Sequence, residues 1–166
     1  MTTAARYRFP VATAEAMADL GRHLGQQGRA GDVFVLGGEL GSGKTTLTQG
    51  IARGMGIEEH VTSPTFVIAR THPHPGAGPD LVHVDMYRLG SAGEIDDLDL
   101  ESDLETSIVV VEWGESLADH LSASRLDVRI ARSDDEADET RIVDITSHSA
   151  RWAGILDGLA ARVGGS

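Results

Sequence analysis

A nine-residue segment constrains the fold of this chain more than any other part of its sequence. Gly38–Thr46 reads GELGSGKTT and matches the pattern G-x-x-x-x-G-K-[ST], in which glycines let successive backbone N–H groups point at a phosphate. An apolar run, DVFVLGG, leads into the segment, and a run with helical character, KTTLTQGIARG, begins at its lysine. A chance match in a chain of this length is on the order of one in a hundred or rarer. The segment predicts a strand, a phosphate-binding loop and a helix in succession.

The loop holds the only lysine of the chain. The 14 basic side chains are 13 arginines and Lys44. Between two phosphates, a compact ammonium on a flexible stem fits where a planar guanidinium does not. The hydroxyl of Thr45 is expected on a magnesium ion, and the helix that follows offers its positive N-terminal end to the same anion. We therefore predict a nucleotide and magnesium site at this loop.

The base of the nucleotide is predicted by elimination. Guanine recognition in small GTPases uses an N-K-x-D element, but this chain has no asparagine and no second lysine. Neither that element nor a T-K-x-D variant is therefore present. We predict that the nucleotide is ATP.

Two predicted strands end in carboxylates. LVHVD ends in Asp85, and IVVVE ends in Glu112. Because the carboxyl ends of parallel strands meet beside the phosphate loop, both acids are expected to face the same pocket. Such an acid holds magnesium or orients the attacking water. The alternative for either residue is an exposed strand end.

Three other features have competing interpretations. In TSPTF, the hydroxyl of Thr65 is suited to a γ-phosphate or its water, but the segment is equally a loop that enters a strand. Trp113 is placed either at the rim of the pocket or in the core. His72 and His74, in HPHP, suggest a metal site, but without a third partner they are more typical of an exposed loop.

The remaining segments predict a single α/β domain over residues 1–166. A helix is expected after Thr13, its N-cap, with Met17, Leu20 and Leu24 on its apolar face. Strands are expected at Arg6–Phe9 before Pro10, Thr65–Ala69, Leu81–Asp85 and Ile108–Glu112; helices over 91–105, Glu115–Leu121 and the C-terminal SARWAGILDGLAARV; and a hairpin in RLDVRIA and TRIVDIT. Gly25 and Gly28 are expected to end the first helix. This alternation favours a mostly parallel central sheet with helices on both faces and an antiparallel C-terminal hairpin.

Composition excludes several classes of function. The chain has no cysteine, which excludes disulfides, thiolate zinc sites and cysteine nucleophiles. No signal peptide or membrane-spanning run is present, so we expect a cytoplasmic protein without membrane contact. Its net charge of −12 opposes direct binding of a nucleic-acid backbone and favours contact with a protein partner.

Four segments together carry a family resemblance. GELGSGKTTLTQG, VTSPTFVI, HVDMYRL and VEWGE, in this order and spacing, resemble the TsaE family of bacterial P-loop ATPases, also called YjeE. The resemblance covers about two thirds of the chain and implies a P-loop NTPase-like fold. It also implies ATP hydrolysis in the formation of threonylcarbamoyladenosine (t6A) on tRNA, slow alone and faster on the TsaD–TsaB complex, which the protein is expected to reset between turnovers. The transfer itself belongs to that complex, and contact with tRNA is at most indirect.

The resemblance also implies roles for individual residues. Lys44 contacts the phosphates, Thr45 and Glu112 hold Mg²⁺, and Asp85 is a catalytic acid near the metal. ATP binding is expected of Thr13, Glu39, Leu40, Gly41, Ser42, Gly43, Lys44, Thr45, Thr46 and Trp113; catalysis of Asp85, Glu112 and Thr65; and metal binding of Thr45, Glu112 and Asp85. The family often has threonine where this chain has Met17, so a polar adenine contact is not carried over to that turn.

Two other functions use the same loop. A small-molecule kinase closes an arginine-bearing lid over the transferred phosphate, whereas Arg125, Arg129 and Arg132 alternate along a predicted strand. A nucleotide-binding scaffold without hydrolysis does not need the two acids at the strand ends. Phosphate transfer to an added metabolite distinguishes the first alternative, and a single-turnover assay distinguishes the second.

Overall fold

Among the residues that the structure describes, the strand that leads into the phosphate loop lies at the middle of a seven-stranded sheet. A computed structural model describes residues 5–38, 43–57, 69–85, 105–112, 125–132, 135, 137–138 and 140–164. The strands are β1 (Ala5–Val11), β2 (Val33–Gly38), β3 (Ala69–His72), β4 (Asp80–Asp85), β5 (Ser107–Glu112), β6 (Arg125–Arg132) and β7 (Arg141–Ser147). The helices are α1 (Ala14–Gln27), α2 (Lys44–Met55) and α3 (Ala150–Gly164). The strand order is β1-β7-β6-β2-β5-β4-β3.

The sheet is mixed, with a parallel centre. Strands β6, β2, β5 and β4 run parallel, while β3, β7 and β1 pair antiparallel with their neighbours. The predicted α/β class and the antiparallel β6–β7 pair are confirmed. The parallel centre brings the carboxyl ends of β2, β5 and β4 to one edge, where the phosphate loop begins.

The central strands are buried on both faces. Every described residue of β5 is buried, as are the first five of β2, whereas β6 and β7 alternate between buried and partly exposed positions. A continuous apolar run is what a parallel strand needs when both of its faces are covered. On one face, Phe34, Leu36, Ile108, Val110, Leu126 and Val128 join a cluster with apolar residues of α1, α2 and α3.

Helix α3 is attached to the start of β2 by one buried carboxylate. Asp32 is buried and pairs with the guanidinium of Arg151, and Nε1 of Trp152 lies 3.4 Å from the same carboxylate oxygen. The indole also packs edge-on against Phe34, with ring centroids 5.5 Å apart. Because its charge is compensated by Arg151, the buried Asp32 fixes the helix on the sheet without leaving an isolated ion.

Helices α1 and α2 pack with their backbones in contact. Glycines lie on both sides of the contact: Gly21 and Gly25 in α1, Gly50 and Gly54 in α2. A Cβ at Gly25 would overlap the carbonyl oxygen of Ile51, and one at Gly50 would overlap that of Ala18. Any larger residue at these positions would push the helices apart, so the glycines set their separation.

Two sequence-based boundaries are wrong, each for a non-local reason. Gly25 does not end α1, which continues to Gln27 with Gly28 as its C-cap, because Gly25 packs against α2. Pro10 does not end β1, which continues to Val11. Strand β1 lies at the edge of the sheet, and edge strands are where proline is tolerated within a sheet.

Several predicted elements cannot be compared with the structure. The helices over 91–105 and Glu115–Leu121 lie outside the described residues apart from Glu105, and so does the strand Thr65–Ala69 apart from its last residue, where β3 begins. Within the described part of the chain, no helix is long and apolar enough to cross a membrane.

The helix contact generates a stability prediction. Gly50→Ala gains up to about 1 kcal/mol of helix propensity, but overpacking at a backbone contact costs about 1–3 kcal/mol. We expect a net decrease in the free energy of unfolding, measured by urea denaturation. Gly158→Ala in α3 is the control, because nothing lies within 4 Å of its added Cβ. It should stabilise the protein, and a stabilising Gly50→Ala would contradict the close packing.

Candidate functional site

The phosphate loop is bordered by two glycines in conformations that other residues rarely adopt. Gly38, the last residue of β2, has φ 144°, and Gly43, the N-cap of α2, has φ 116°. A side chain at either position would strain the backbone. The loop residues Glu39, Leu40, Gly41 and Ser42 lie outside the described residues. The pattern glycine at each end of the loop is thus explained by local geometry.

Lys44 reaches back across the two ends of this loop. Its Nζ donates a hydrogen bond to the carbonyl oxygen of Gly38 at 2.7 Å, and the residue is only 7% exposed. Burying an ammonium costs several kcal/mol unless the charge is compensated. The positive charge is therefore concentrated where β2 ends and α2 begins.

The first turn of α2 is a helix N-terminus without a side-chain cap. The first four N–H groups of a helix have no partner inside it, and the N-cap Gly43 supplies no side-chain acceptor. Thr45 and Thr46, both half-buried, belong to this turn. The hydroxyl of Thr48 donates to the carbonyl oxygen of Lys44 at 2.9 Å, which occupies it within the helix. The helix end and the ammonium together form a positively charged, donor-rich site.

The start of α1 lies against the same loop. Thr13 is the N-cap of α1, as predicted, and its Oγ1 accepts a hydrogen bond from the N–H of Ala16 at 3.0 Å. One turn later, Met17 is buried, and its Cε lies 3.3 Å from where a Cβ at Gly43 would stand. Met17 therefore packs against the loop border, a role that an apolar side chain fills. The expected contact between Thr13 and the nucleotide stays a prediction.

The two strand-end acids occupy neighbouring positions in the sheet. The register pairs Asp85 of β4 with Glu112 of β5, and Glu112 in turn with Leu36 of β2. Glu112 is 4% exposed, so its carboxylate is almost fully removed from water. The side chain of Asp85 lies outside the described residues, as do Thr65 and Trp113. The strand ends are thus aligned as the parallel sheet requires.

One residue beside Glu112 belongs to the segment HVDMYRL but was given no role from the sequence. His83 of β4 is fully buried, and its Nε2 lies 3.5 Å from Oε2 of Glu112. The period of two along a strand places His83 and Asp85 at positions of the same parity. This shared parity could have indicated from the sequence that His83 faces the same side as Asp85. Only the parallel register of β4 and β5 shows that it lies beside Glu112.

The two histidines of HPHP are not an exposed pair. His72 is fully buried at the end of β3. His74 is half-buried: its Nδ1 accepts the N–H of Gly76 at 2.8 Å, so Nε2 carries the proton and donates to the carbonyl oxygen of Met55 at 2.9 Å. The prediction of two exposed side chains is therefore wrong. Among the described residues no cluster of three or more His, Cys, Asp or Glu suited to a metal is present.

A comparison with known protein families shows to which of them this chain belongs. Residues 11–143, from the end of β1 into β7, match the family described as "Threonylcarbamoyl adenosine biosynthesis protein TsaE". The chain belongs to the TsaE family. The matched range contains β2, the loop, α2 and the strand ends of β4 and β5, so the site lies entirely inside the family region.

Individual TsaE relatives agree with this assignment. A "tRNA threonylcarbamoyladenosine biosynthesis protein TsaE" of Streptomyces coelicolor is 55% identical over 139 residues, covering 82% of this chain and 94% of that protein. A protein of the same name from Bacillus subtilis is 39% identical over 112 residues, covering 67% and 68%. The crystal structure of Bacillus subtilis YdiB superposes with a TM-score of 0.73 at 27% identity, covering 98% of this chain and 99% of that one. This likeness and the mixed α/β sheet confirm the predicted fold class, which is P-loop NTPase-like.

The buried ammonium of this TsaE chain generates a binding prediction. In Lys44→Arg the charge is kept, but a wider, planar group must fit where the lysine is only 7% exposed. Since a hydrogen bond to a charged group contributes about 1.5–3 kcal/mol, we expect a roughly ten- to hundredfold loss of affinity, measured by titration with a fluorescent ATP analogue.

The control for this variant lies on the same helix. Arg53, in the last turn of α2, is exposed and distant from the loop end. Arg53→Lys exchanges the same two cations and should leave the affinity unchanged. Wild-type affinity in Lys44→Arg would show that the site requires only a positive charge, not a lysine.

Proposed function

We propose that this chain is an ATPase required for the threonylcarbamoyladenosine modification of tRNA, acting in the cytoplasm on a TsaD–TsaB complex. The observation that carries the proposal is the buried ammonium of Lys44, held 2.7 Å from the carbonyl of Gly38 at the start of α2. Membership of the TsaE family, whose relatives are named for this biosynthesis, supplies the pathway.

Binding of the triphosphate is assigned to the loop and the first turn of α2. Lys44 moves its hydrogen bond from the Gly38 carbonyl to the phosphate oxygens, and the first-turn N–H groups donate to the same oxygens. Residues 39–43 supply the remaining backbone donors, and Thr46 lies in the same turn. Adenine contacts are assigned to the Thr13 turn and Trp113, with Met17 providing an apolar surface.

The residues of this site fit a magnesium ion. Oxygen ligands are what Mg²⁺ prefers, and Thr45, Glu112 and Asp85 would hold it, directly or through water. Among the described residues, His83 is the only basic side chain within 4.0 Å of the buried Glu112 carboxylate, so that charge has no described arginine or lysine partner. When bound, Mg²⁺ neutralises phosphate charge during hydrolysis.

The remaining steps belong to the side chains of the chain. A carboxylate at the strand ends, Asp85 or Glu112, orients the water that attacks the γ-phosphate. Thr65, in the segment TSPTF, acts as a switch-like contact to that phosphate or its water. Burial of Lys44 and Glu112 keeps both charges out of bulk solvent. In this low-dielectric setting, the attraction of Lys44 for the phosphates and of Glu112 for the magnesium ion would be stronger than in water.

The position of the arginines argues against the kinase alternative. Arg125, Arg129 and Arg132 lie on β6, a strand hydrogen-bonded on both sides, to β2 and to β7. A paired strand inside the sheet does not close over a substrate. The net charge of −12 favours action on a protein complex over direct contact with tRNA.

Hydrolysis in the presence of the partner complex tests the proposal. We expect slow release of inorganic phosphate by the chain alone and faster release when the TsaD–TsaB complex of the same organism is added. A pull-down with and without ATP measures the association directly. The control is Lys44→Arg, which should remove the stimulated rate. An unstimulated rate, or γ-phosphate recovered on an organic acceptor, would contradict the proposal.

Glu112→Gln separates metal binding from folding. Loss of an anionic ligand should raise the Mg²⁺ concentration needed for half-maximal hydrolysis by about tenfold or more, since even the loss of an outer group that holds a metal ligand costs about 10–100-fold in metal affinity. The unfolding free energy should stay constant or rise, because a neutral amide is less costly to bury than a carboxylate. Glu105→Gln, an exposed acid just before β5, is the control. A large loss of stability without a change in metal dependence would show that Glu112 is structural.

A further inference from the structure

A buried histidine stands beside the carboxylate at the end of β5. His83 is fully buried on β4, and its Nε2 lies 3.5 Å from Oε2 of Glu112, whose own side chain is 5% exposed. The two residues come from neighbouring parallel strands, in which His83 pairs with Val110 and Glu112 with Asp85. The contact is therefore fixed by the sheet.

The imidazole has an unused hydrogen-bonding capacity. Among the described residues, neither ring nitrogen of His83 has a hydrogen-bond partner. A buried polar group without a partner costs about 1–3 kcal/mol, so its retention needs an explanation. At 3.5 Å from the carboxylate oxygen, Nε2 lies at the outer limit of a hydrogen bond, and a few tenths of an ångström would complete one.

We propose that His83 is a positioning residue for Glu112. Its Nε2–H donates to Oε2 of Glu112, which fixes the carboxylate and leaves Oε1 for the magnesium ion of the bound nucleotide. This inference rests on the proposed function, since it needs a cation at Glu112. It adds a residue that acts on the metal only through another side chain.

The chemistry of imidazole suits this position. A neutral imidazole donates one hydrogen bond without bringing a fixed positive charge. An arginine or lysine at position 83 would neutralise Glu112 and compete with the cation. Hydrogen bonds from outer groups that hold a ligating side chain commonly change metal affinity by 10–100-fold.

Two amide variants test whether Glu112 needs a donor at the position of Nε2, while a polar side chain is kept at residue 83. His83→Gln places its amide N–H near the position of Nε2, whereas the shorter His83→Asn places it near Nδ1, out of reach of Glu112. The readout is the affinity for Mn²⁺ in the presence of ATP, measured by electron paramagnetic resonance, together with ATP-analogue affinity in the absence of metal. We expect His83→Asn to weaken Mn²⁺ binding about ten- to hundredfold and His83→Gln to stay near wild type.

A matched control separates positioning from packing. His72 is also fully buried and lies on β3, paired with Leu81 of β4. His72→Asn makes the same substitution at another fully buried position, on a different strand from Glu112 and His83. It should leave Mn²⁺ affinity unchanged even where it lowers thermal stability. Metal-free affinity for the ATP analogue should be the same in all folded variants, because the histidine acts on the metal ligand alone.

The results distinguish a positioning role of His83 from a role in packing alone. Equal Mn²⁺ affinity in His83→Asn, His83→Gln and wild type would overturn the positioning role while leaving the proposed ATPase function intact. Equal weakening in both His83 variants would overturn it as well, because the donor position would not matter. If wild-type protein and ATP together bind no more Mn²⁺ than ATP binds alone, the proposed function fails and the positioning role fails with it.

Discussion

The backbone contact between α1 and α2 is the constraint on which the site depends. Helix α2 begins at the phosphate loop, so its position relative to β2 determines where the Lys44 ammonium and the first-turn N–H groups stand. Gly21 and Gly50 help to bring α1 close enough for Met17 to pack beside Gly43 at the loop border. Side chains at the contact would move α2, because close-packed interiors transmit such displacements. The glycines of the α1–α2 contact therefore help to fix the position of Gly43 and of the start of α2.

Two opposite charges are buried at the carboxyl edge of the sheet. An ammonium and a carboxylate, on Lys44 and Glu112, are both nearly removed from water at the carboxyl edge of the sheet. Each burial is unfavourable in isolation, by several kcal/mol per ion. In the complex that we propose, phosphate oxygens and a divalent cation would supply the opposite charges. The proposed ligand would therefore offset part of the cost of burying these two charges.

Sequence patterns predicted what is decided locally. The apolar runs ending in Asp85 and Glu112 are strands whose ends agree with the structure, and Thr13 caps α1 through its own hydroxyl. The predictions that Gly25 ends α1 and that Pro10 ends β1 were wrong. Gly25 packs against another helix, and Pro10 lies in an edge strand; the nearby sequence encodes neither fact. The same limit applies to His83: its partner is on another strand, and only the parallel register brings the two together.

That register is itself hard to specify with apolar residues alone. Strands β4 and β5 bury both faces along Leu81–Val84 and Ile108–Val111, so a slip by one residue would exchange one set of apolar contacts for another. The slip would, however, move His83 to the opposite face from Glu112 and leave a buried carboxylate without its neighbour. A misplaced buried polar pair costs more than a misplaced valine. The hydrogen bond that we propose between His83 and Glu112 would therefore form only in the register that places Asp85 beside Glu112.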